Sequence, residues 1–221
     1  MSALAREFDY GVERAYYAEP PSRLRDCQWL EGHFVAFGHD YSHYFDGKRV
    51  LDLGAGECLH GRFVTARCSP ALYVNFDLFP DRMQLASRQC GQKPLAYVAG
   101  DGFALPFLAG TFDVVFESGV LFRFSRLAKV AAEIGRVLVP GGMFLGIEPN
   151  FLSPVMEVRR AMIRRRNAND TRLRPAQVRQ VFTDHGFSCT TEFFWRRFPE
   201  LRAQLLAALV SPTFSIRACR K

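Results

Sequence analysis

Residues 50–60 place the strongest constraint on the fold of this chain, because they combine a strand pattern, a glycine turn and a helix start. The apolar run ends at Leu53, Gly54 and Gly56 then permit a tight turn, and a helical pattern begins at Glu57. The amide groups at the start of such a helix favour an anionic ligand. A tight turn that binds nothing has the same pattern, so the rest of the chain has to decide between the two interpretations.

Strand and helix patterns alternate along the chain after this first unit. Further strands are predicted at residues 71–77, 95–101, 112–118 and 143–147, helices at 80–90 and 125–139, and a turn at 140–142. The remaining residues add helices at 153–166, 174–185 and 199–210 and strands at 187–195 and 213–219. Continuous apolar strands separated by helices are typical of a parallel sheet that is covered on both faces. We therefore predict an α/β fold: a doubly wound, seven-stranded, mostly parallel, Rossmann-like sheet with an antiparallel edge strand and an N-terminal helical segment.

The first 45 residues form a separate segment of this predicted organisation. Pro20 and Pro21 interrupt it, and Ser22 is a predicted N-cap for a helix that runs to about residue 39. Such a segment can cover a ligand as a lid, or it can pack on the sheet as an additional helix. We therefore divide the chain into an N-terminal helical lid or cap segment, residues 1–45, and the main α/β domain, residues 46–221.

The net charge of +7 is concentrated in the last third of the chain. Residues 1–150 carry 15 basic and 17 acidic side chains, whereas residues 151–221 carry 14 basic and 5 acidic side chains. Arginines cluster at positions 159, 160, 164, 165 and 166. This pattern indicates an anionic partner such as a phosphate, a carboxylate, a nucleic acid or an acidic lipid surface, and a solvated helix face explains it equally well.

Cysteine and histidine spacing argues against a metal centre. The six cysteines include no C-x-x-C pair, and no histidine pair completes a zinc pattern, so we predict no metal site and reduced thiols in a cytoplasmic protein. His33, His39 and His43 are predicted to be surface or packing residues, and His60 is predicted to lie on a helix surface. No secretory signal and no apolar run of about 18 residues is evident, so no transmembrane segment is predicted.

Polar residues stand at the ends of the predicted strands, where a doubly wound sheet binds its ligand. They are Asp77, Asp101, Glu117, Ser118 and Glu148. Acids placed repeatedly at one edge of a sheet are hard to explain by solubility alone. The sequence therefore predicts a ligand site at the carboxyl edge of the sheet.

Five stretches of the chain together resemble the class I S-adenosylmethionine-dependent methyltransferases, in particular the small-molecule branch that includes ubiquinone- and menaquinone-type enzymes. They are residues 50–56, which read Val-Leu-Asp-Leu-Gly-Ala-Gly, and residues 75–77, 100–107, 112–115 and 133–142. Each stretch alone is weakly specific, but their order and spacing match the family across residues 48–148. The main domain, residues 46–221, is therefore interpreted as a methyltransferase domain.

This resemblance implies S-adenosylmethionine as the cofactor and assigns residues to each part of it. Asp77 would accept hydrogen bonds from both ribose hydroxyls, and Leu78 would pack on the adenine. Asp101 would accept a hydrogen bond from the adenine amino group, while Gly102 and Phe103 would supply backbone and a wall. The residues that would meet the methionine end are Asp52, Gly54, Ala55, Gly56, Glu117 and Ser118.

The chain departs from the family pattern in two places. The third glycine of the loop is replaced, which leaves Glu57 and Cys58. After the fourth strand the family often has a histidine pair, whereas residues 120–124 read Val-Leu-Phe-Arg-Phe. No catalytic residue is therefore assigned. The residues that would face an acceptor are Tyr16, Tyr17, His60 and Glu148.

The residues after the fourth strand also bear on the methyl acceptor. Neither a D/N-P-P-Y/F tetrad nor a Pro-Cys pair stands there, which argues against transfer to an exocyclic amine or a ring carbon of a nucleic-acid base. We predict methyl transfer to a small-molecule or lipid-like acceptor, at oxygen in preference to nitrogen or carbon. RNA methylation and a non-catalytic, cofactor-binding scaffold are the alternatives, and Leu59 argues against an NAD enzyme because its fingerprint needs a glycine there. The sequence names neither the acceptor nor the oligomeric state.

Overall fold

The structure is a computed structural model that describes residues 8–17, 27–38, 40–87, 95–162, 169–194 and 211–221. Several predicted features lie outside these residues: the helix at 199–210, the N-cap at Ser22, His39 and the arginines at 164–166. The side chains of Tyr16 and Tyr17 and of the arginines at 159 and 160 also lie outside the description.

Seven strands in the described residues form one sheet. They are β1 Arg49–Leu53, β2 Leu72–Asp77, β3 Leu95–Ala99, β4 Phe112–Ser118, β5 Leu138–Pro149, β6 Phe187–Phe194 and β7 Thr213–Arg220. Their spatial order is β3-β2-β1-β4-β5-β7-β6. The winding direction reverses between β1 and β4, and a doubly wound sheet binds its ligand at such a point.

Helices cover both faces of this sheet. They are α1 Tyr10–Tyr17, α2 Cys27–Phe34, α3 Leu59–Arg67, α4 Pro80–Ser87, α5 Leu127–Val137, α6 Pro154–Met162 and α7 Pro175–Asp184. The buried stripe of α5, which consists of Leu127, Val130, Ala131 and Ile134, recurs at the spacing of one helix face. No helix in the described part of the chain is long and apolar enough to cross a membrane.

The first five strands are parallel, and β7 is the antiparallel member of the sheet. β1 pairs in parallel with both β2 and β4, whereas β7 runs antiparallel to both of its neighbours, β5 and β6. β6 forms the outer edge, and β7 lies one position inside it. The predicted α/β fold, a mostly parallel seven-stranded sheet with an antiparallel strand at one side, is confirmed.

β5 is longer than predicted, because it begins directly after α5. The predicted turn at 140–142 lies inside the strand rather than before it. Leu138 pairs with Phe112, but the next pair joins Met143 to Val114, so β5 carries the additional residues between these two positions. An irregular pairing of this kind lets proline and glycine remain within a strand.

Two apolar clusters flank the sheet. One joins β4, β5 and β7 to α5 and α7, with Phe144 stacked on Phe182 at 4.8 Å between ring centroids. The other joins the opposite face to α2 and α3, with Phe34 between Phe63 and Phe116 at 5.2 and 5.3 Å. The second cluster shows that part of the N-terminal segment packs on the sheet, while α1 lies elsewhere.

Candidate active site

The turn after β1 brings the chain close to the segment that follows β4. Gly54 has a φ angle of +74°, and a Cβ atom there would lie 2.3 Å from Cγ2 of Val120. The amides of Gly54 and Ala55 both donate to the carbonyl oxygen of Phe76, at 2.7 and 3.0 Å. Cys58 also adopts a positive φ, 55°, although it is not a glycine. Cys58, which stands where the family has its third loop glycine, therefore keeps the left-handed backbone conformation that favours glycine.

Asp77 ties this turn to the end of β2. Its Oδ2 accepts a hydrogen bond from the Gly56 amide at 2.8 Å, and its Oδ1 accepts one from the Phe79 amide at 2.9 Å. Burial raises the pKa of Asp77, and the Phe79 and Gly56 amides partly offset this rise. A carboxylate offers about four acceptor positions, so both oxygens can still accept a ligand hydroxyl.

Asp101, at the end of β3, is contacted by the N-terminal segment. The Tyr10 hydroxyl of α1 donates to Oδ2 of Asp101 at 2.5 Å, and the Phe103 amide donates to Oδ1 at 2.8 Å. The hydrogen bond to Asp101 raises the pKa of Tyr10 to about 12, so this hydroxyl keeps its proton at neutral pH. Phe8 packs edge-on against both Tyr10 and Phe103.

An open cleft of about 620 Å³, a volume that includes its solvent-filled mouth, lies between these residues. Its floor comes from the ends of β1, β2 and β3, and its far side comes from the segment after β4. Six predicted cofactor residues line it: Gly54, Asp77, Leu78, Asp101, Gly102 and Phe103. Carboxylates beside apolar walls suit the ribose and adenine of a nucleoside.

α1 is held over this cleft by ion pairs and hydrogen bonds. Glu13 lines the cleft, and its Oε1 lies 3.8 Å from Nε of Arg123 in the segment after β4. Arg123 also pairs with Asp170. The side-chain amide of Asn169 donates to Glu13 Oε2 at 3.0 Å and to the Asp9 carbonyl at 2.8 Å. Three segments that are distant in sequence therefore meet at the mouth of the cleft.

Asp52 lies beneath the turn and does not line the cleft. It is 1% exposed, and the Tyr73 hydroxyl donates to its Oδ2 at 3.0 Å. Burial raises the pKa of Asp52 to about 7. Because the folded state favours the protonated carboxyl, its contribution to stability is complete below about pH 4 and is lost as the pH rises to about 7.

We expect Asp52→Asn to gain stability relative to wild type between pH 5 and pH 8, by about 3 kcal/mol, because the amide mimics the protonated acid. Urea unfolding at the two pH values measures the difference. Asp113→Asn is the control, because Arg49 holds the pKa of Asp113 below its usual value and its effect should be the same at both. If Asp52→Asn changes the free energy of unfolding equally at both pH values, the raised pKa of Asp52 is contradicted.

Glu117 and Glu148 form a buried carboxyl pair beneath the segment after β4. Glu117 accepts hydrogen bonds from the Ile147 and Val120 amides, both at 3.0 Å, and Glu148 accepts from the Leu121 amide at 2.7 Å. Burial raises the pKa of Glu117 well above its usual range, with Glu148 adding to the rise, and burial raises the pKa of Glu148 to about 7. Glu117 therefore stays protonated and donates to Glu148, and the pair fixes the backbone that lines the cleft.

A buried histidine pair lies at the same edge of the sheet. His33 Nδ1 lies 2.9 Å from His60 Nε2, and the Ser118 hydroxyl lies 3.3 Å from the same Nδ1. His33 and His60 are 3% and 6% exposed, so the prediction that His60 lies on a helix surface is wrong. Two ring nitrogens at this distance share one proton. No group of three or more His, Cys, Asp or Glu side chains in the described residues is arranged to hold a metal ion.

The remaining predicted cofactor residues surround the cleft without lining it. Ala55, Gly56, Asp52 and Glu117 are buried, and Ser118 is half-buried beside the histidine pair. Their contacts with the methionine end stay predictions. Sequence reasoning missed Tyr10, Glu13, Arg82 and Arg123; the aromatic, mixed-charge composition of residues 1–45 was the available hint for the first two.

Comparison with known proteins identifies the central part of the chain. Residues 51–146 match the family described as methyltransferase domain. The chain is 32% identical over 141 residues to the fatty-acid O-methyltransferase of Mycolicibacterium smegmatis, an alignment that covers 62% of this chain and 50% of that protein. It is 34% identical over 99 residues to phthiotriol/phenolphthiotriol dimycocerosates methyltransferase 1 of Mycobacterium ulcerans, with 45% of this chain and 36% of that protein covered. The chain thus spans half or less of these relatives.

Solved structures share the fold of the whole described sheet. An S-adenosylmethionine-dependent methyltransferase from Mesorhizobium loti superposes with a TM-score of 0.68 at 15% identity, covering 88% of this chain and 98% of that one. One from Archaeoglobus fulgidus superposes with a TM-score of 0.66 at 16% identity, covering 96% of this chain and 100% of that one. At these identities the similarity shows the fold alone.

Proposed function

We propose that the chain is an S-adenosylmethionine-dependent methyltransferase that transfers a methyl group from this cofactor to an oxygen of a lipid-like acceptor, and the match of residues 51–146 to the methyltransferase domain family supports the proposal. The observation that carries the proposal is the cleft that Asp77 and Asp101 both line beside the Gly54 turn. When bound, the cofactor supplies an activated methyl group. The chain would bind the cofactor, align the acceptor oxygen with it and exclude water.

The chemistry of the cleft residues fits this cofactor. Asp77 keeps acceptor positions for ribose hydroxyls because its two backbone hydrogen bonds use only part of its capacity. Asp101 provides a carboxylate beside the aromatic wall of Phe103, which suits an adenine ring with its amino group. Arg82 also lines the cleft and pairs with Glu57 at 3.1 Å, which places a cation beside the turn where a carboxylate of the ligand is expected.

A lipid-like acceptor is supported by the relatives of the chain. Their names describe transfer to fatty acids and to phthiotriol-type lipids. The chain shares 34% or less of its residues with them over the aligned parts, so the acceptor of this protein need not be theirs. The free thiols of Cys58, Cys68, Cys189 and Cys219 suit a reducing compartment, and we include a cytoplasmic location in the proposal.

Transfer to a hydroxyl oxygen is supported by the Ser118–His33–His60 cluster. A hydroxyl acceptor must lose its proton during methylation, whereas a carboxylate need not. Ser118 ends β4, two residues before Val120, which lines the cleft, so its hydroxyl could pass a proton from the acceptor to the His33–His60 pair, which would then be an imidazole–imidazolium pair. In this proposal His33 and His60 act through Ser118 as positioning residues.

We expect His33→Asn to lower kcat for a hydroxyl acceptor by about 100-fold or more while leaving transfer to a carboxylate acceptor nearly unchanged, because only the first reaction needs a proton acceptor. Steady-state kinetics with a long-chain alcohol and a fatty acid measure both. His43→Asn, at an exposed histidine, is the control. Equal losses with both acceptors indicate a purely structural role for His33.

The N-terminal segment acts as a lid in this proposal. Phe8 and Glu13 line the cleft, and Tyr10 bonds to Asp101, so α1 covers the end at which adenine is expected. Residues 27–45 pack on the sheet instead, which assigns the covering role to the part that contains α1.

Labelled methyl transfer tests the proposal directly. The purified chain is incubated with S-adenosylmethionine labelled at its methyl group, and with lipid extract or RNA, beside an Asp77→Ala control. Label released as methanol by mild alkali indicates a carboxyl ester, and alkali-stable label that hydriodic acid releases as methyl iodide indicates an ether rather than methyl on nitrogen or carbon. Label in RNA, or cofactor binding without transfer to either fraction, overturns the proposal in favour of an RNA methyltransferase or a scaffold.

A further inference from the structure

Three large apolar side chains stand exposed at the start of α6. Leu152, in the turn before α6, is 50% exposed, and Val155 and Val158, three residues apart on one side of the helix, are 37% and 61% exposed. We call these three residues the apolar strip. Single exposed apolar residues are common, but three within seven residues, at the entry and along the first turns of one helix, form a surface.

The apolar strip is held in a defined place beside the cleft. The Asn150 amide group donates to the Ser211 carbonyl at 2.9 Å, and its Oδ1 accepts from the Leu152 amide at 3.1 Å. Phe151 is 8% exposed and packs edge-on against Phe122 at 5.7 Å. Phe122 precedes two residues that line the cleft, so the strip adjoins the wall of the candidate site.

The chain around the apolar strip is strongly basic. Arginine occupies positions 159, 160, 164, 165 and 166, and residues 151–221 carry 14 basic against 5 acidic side chains. Glu157, one of these acids, is 3.4 Å from Arg172 and is thereby paired. Aliphatic side chains followed by arginines are the composition of a helix that lies in the interface of an anionic lipid layer.

We propose that the apolar strip docks the protein on an anionic lipid surface, with the mouth of the cleft close to that surface, and that the excess of basic residues in the sequence of 151–221 favours such a surface. The inference rests on the proposed function, because a lipid-like acceptor would enter the cleft from such a surface. The side chains of the strip insert among the lipids, and the net positive charge of residues 151–221 is attracted to the lipid phosphates. RNA fits less well, since the exposed side chains are aliphatic and cannot stack on bases.

Sedimentation with vesicles tests this docking on the full chain without cofactor or acceptor. We expect binding to vesicles of phosphatidylcholine mixed with phosphatidylglycerol, little binding to phosphatidylcholine alone, and weaker binding at high salt. The double variant Val155→Ser with Val158→Ser should bind the mixed vesicles at least about tenfold more weakly. Replacing the arginines at 164, 165 and 166 with glutamine should remove most of the preference for the anionic lipid.

Leu108→Ser is the matched control, because Leu108 is 83% exposed but lies at the opposite edge of the sheet. Its neighbours Phe107 and Gly110 bond to Arg136 near the end of α5, which is the edge at which β4 begins. This variant should bind vesicles like wild type. The serine variants should keep the melting temperature of wild type within a few degrees, since Val155, Val158 and Leu108 are exposed.

Equal binding of wild type to both vesicle types, or no binding to either, overturns the proposal. The proposal is also overturned if Leu108→Ser loses as much vesicle binding as the double variant, or if the protein self-associates through the apolar strip in the absence of lipid. Failure here leaves the proposed function intact if label still enters a detergent-dispersed lipid extract. If the chain transfers no label to lipid but still binds the mixed vesicles, the proposed function fails and the docking proposal stands. The two failures are therefore distinguishable.

Discussion

Asp77→Ala is expected to abolish cofactor binding at practical concentrations, with the Kd for S-adenosylhomocysteine rising at least about 100-fold. Two hydrogen bonds from ribose hydroxyls to a charged acceptor contribute about 1.5–3 kcal/mol each. The variant also leaves the Gly56 and Phe79 amides without their carboxylate partner, which loosens the turn over the cleft. Calorimetric titration of wild type and variant measures the difference.

The control for Asp77→Ala separates binding from folding. Asp40→Ala removes an exposed carboxylate outside the cleft and should leave the Kd unchanged. Thermal unfolding without ligand reports the structural cost of each change, and a ligand at 100 times its Kd should add about 2.7 kcal/mol to wild type only. A Kd for Asp77→Ala within about threefold of wild type would exclude Asp77 from the cofactor site.

Phe116→Ala is expected to lower the free energy of unfolding by about 3–5 kcal/mol, a large part of the roughly 5–15 kcal/mol typical of a domain. Phe116 is fully buried on β4, and its ring lies 5.3 Å from Phe34 and 5.2 Å from His60. Phe37 and Phe45 lie farther out, at 6.4 and 6.3 Å. Removing this ring leaves a cavity that four rings cannot fill without moving.

Urea unfolding with several probes measures this effect, and Leu108→Ala provides the comparison. Leu108 is 83% exposed, so its replacement should change the free energy of unfolding by less than about 0.5 kcal/mol. A loss below about 1 kcal/mol for Phe116→Ala would mean that Phe34 and Phe37 do not pack on the sheet, because a solvated ring contributes little.

The sheet could be predicted because its strands are marked by local composition. Residues 112–118 were predicted as a strand from a continuous apolar run, and the structure has the same bounds. Asp77 and Asp101 were predicted at a ligand site because each follows an apolar strand, and both line the cleft. In these cases the information lies within a few residues of the feature, and topology rules bring the strand ends together.

The contacts that sequence reasoning missed join residues far apart in the chain. His33 and His60 are 27 positions apart, and Tyr10 and Asp101 are 91 apart, so no spacing rule pairs them. The prediction for 140–142 was wrong for another reason: proline and glycine are typical of turns, but irregular pairing with β4 keeps them within β5. Contacts with segments that are distant in the sequence therefore account both for the missed residue pairs and for the wrong prediction at 140–142.

α1 is a helix of eight residues, and its side chains contact the rest of the protein at the mouth of the cleft. Glu13 and Tyr10 reach Arg123 and Asp101, and a molecule in the cleft would lie beneath them. If α1 acts as the proposed lid, it would have to move aside before the spent nucleoside leaves. In that case we expect steady-state turnover to be limited by the release of the spent nucleoside rather than by bond formation, so the first turnover should be faster than those that follow.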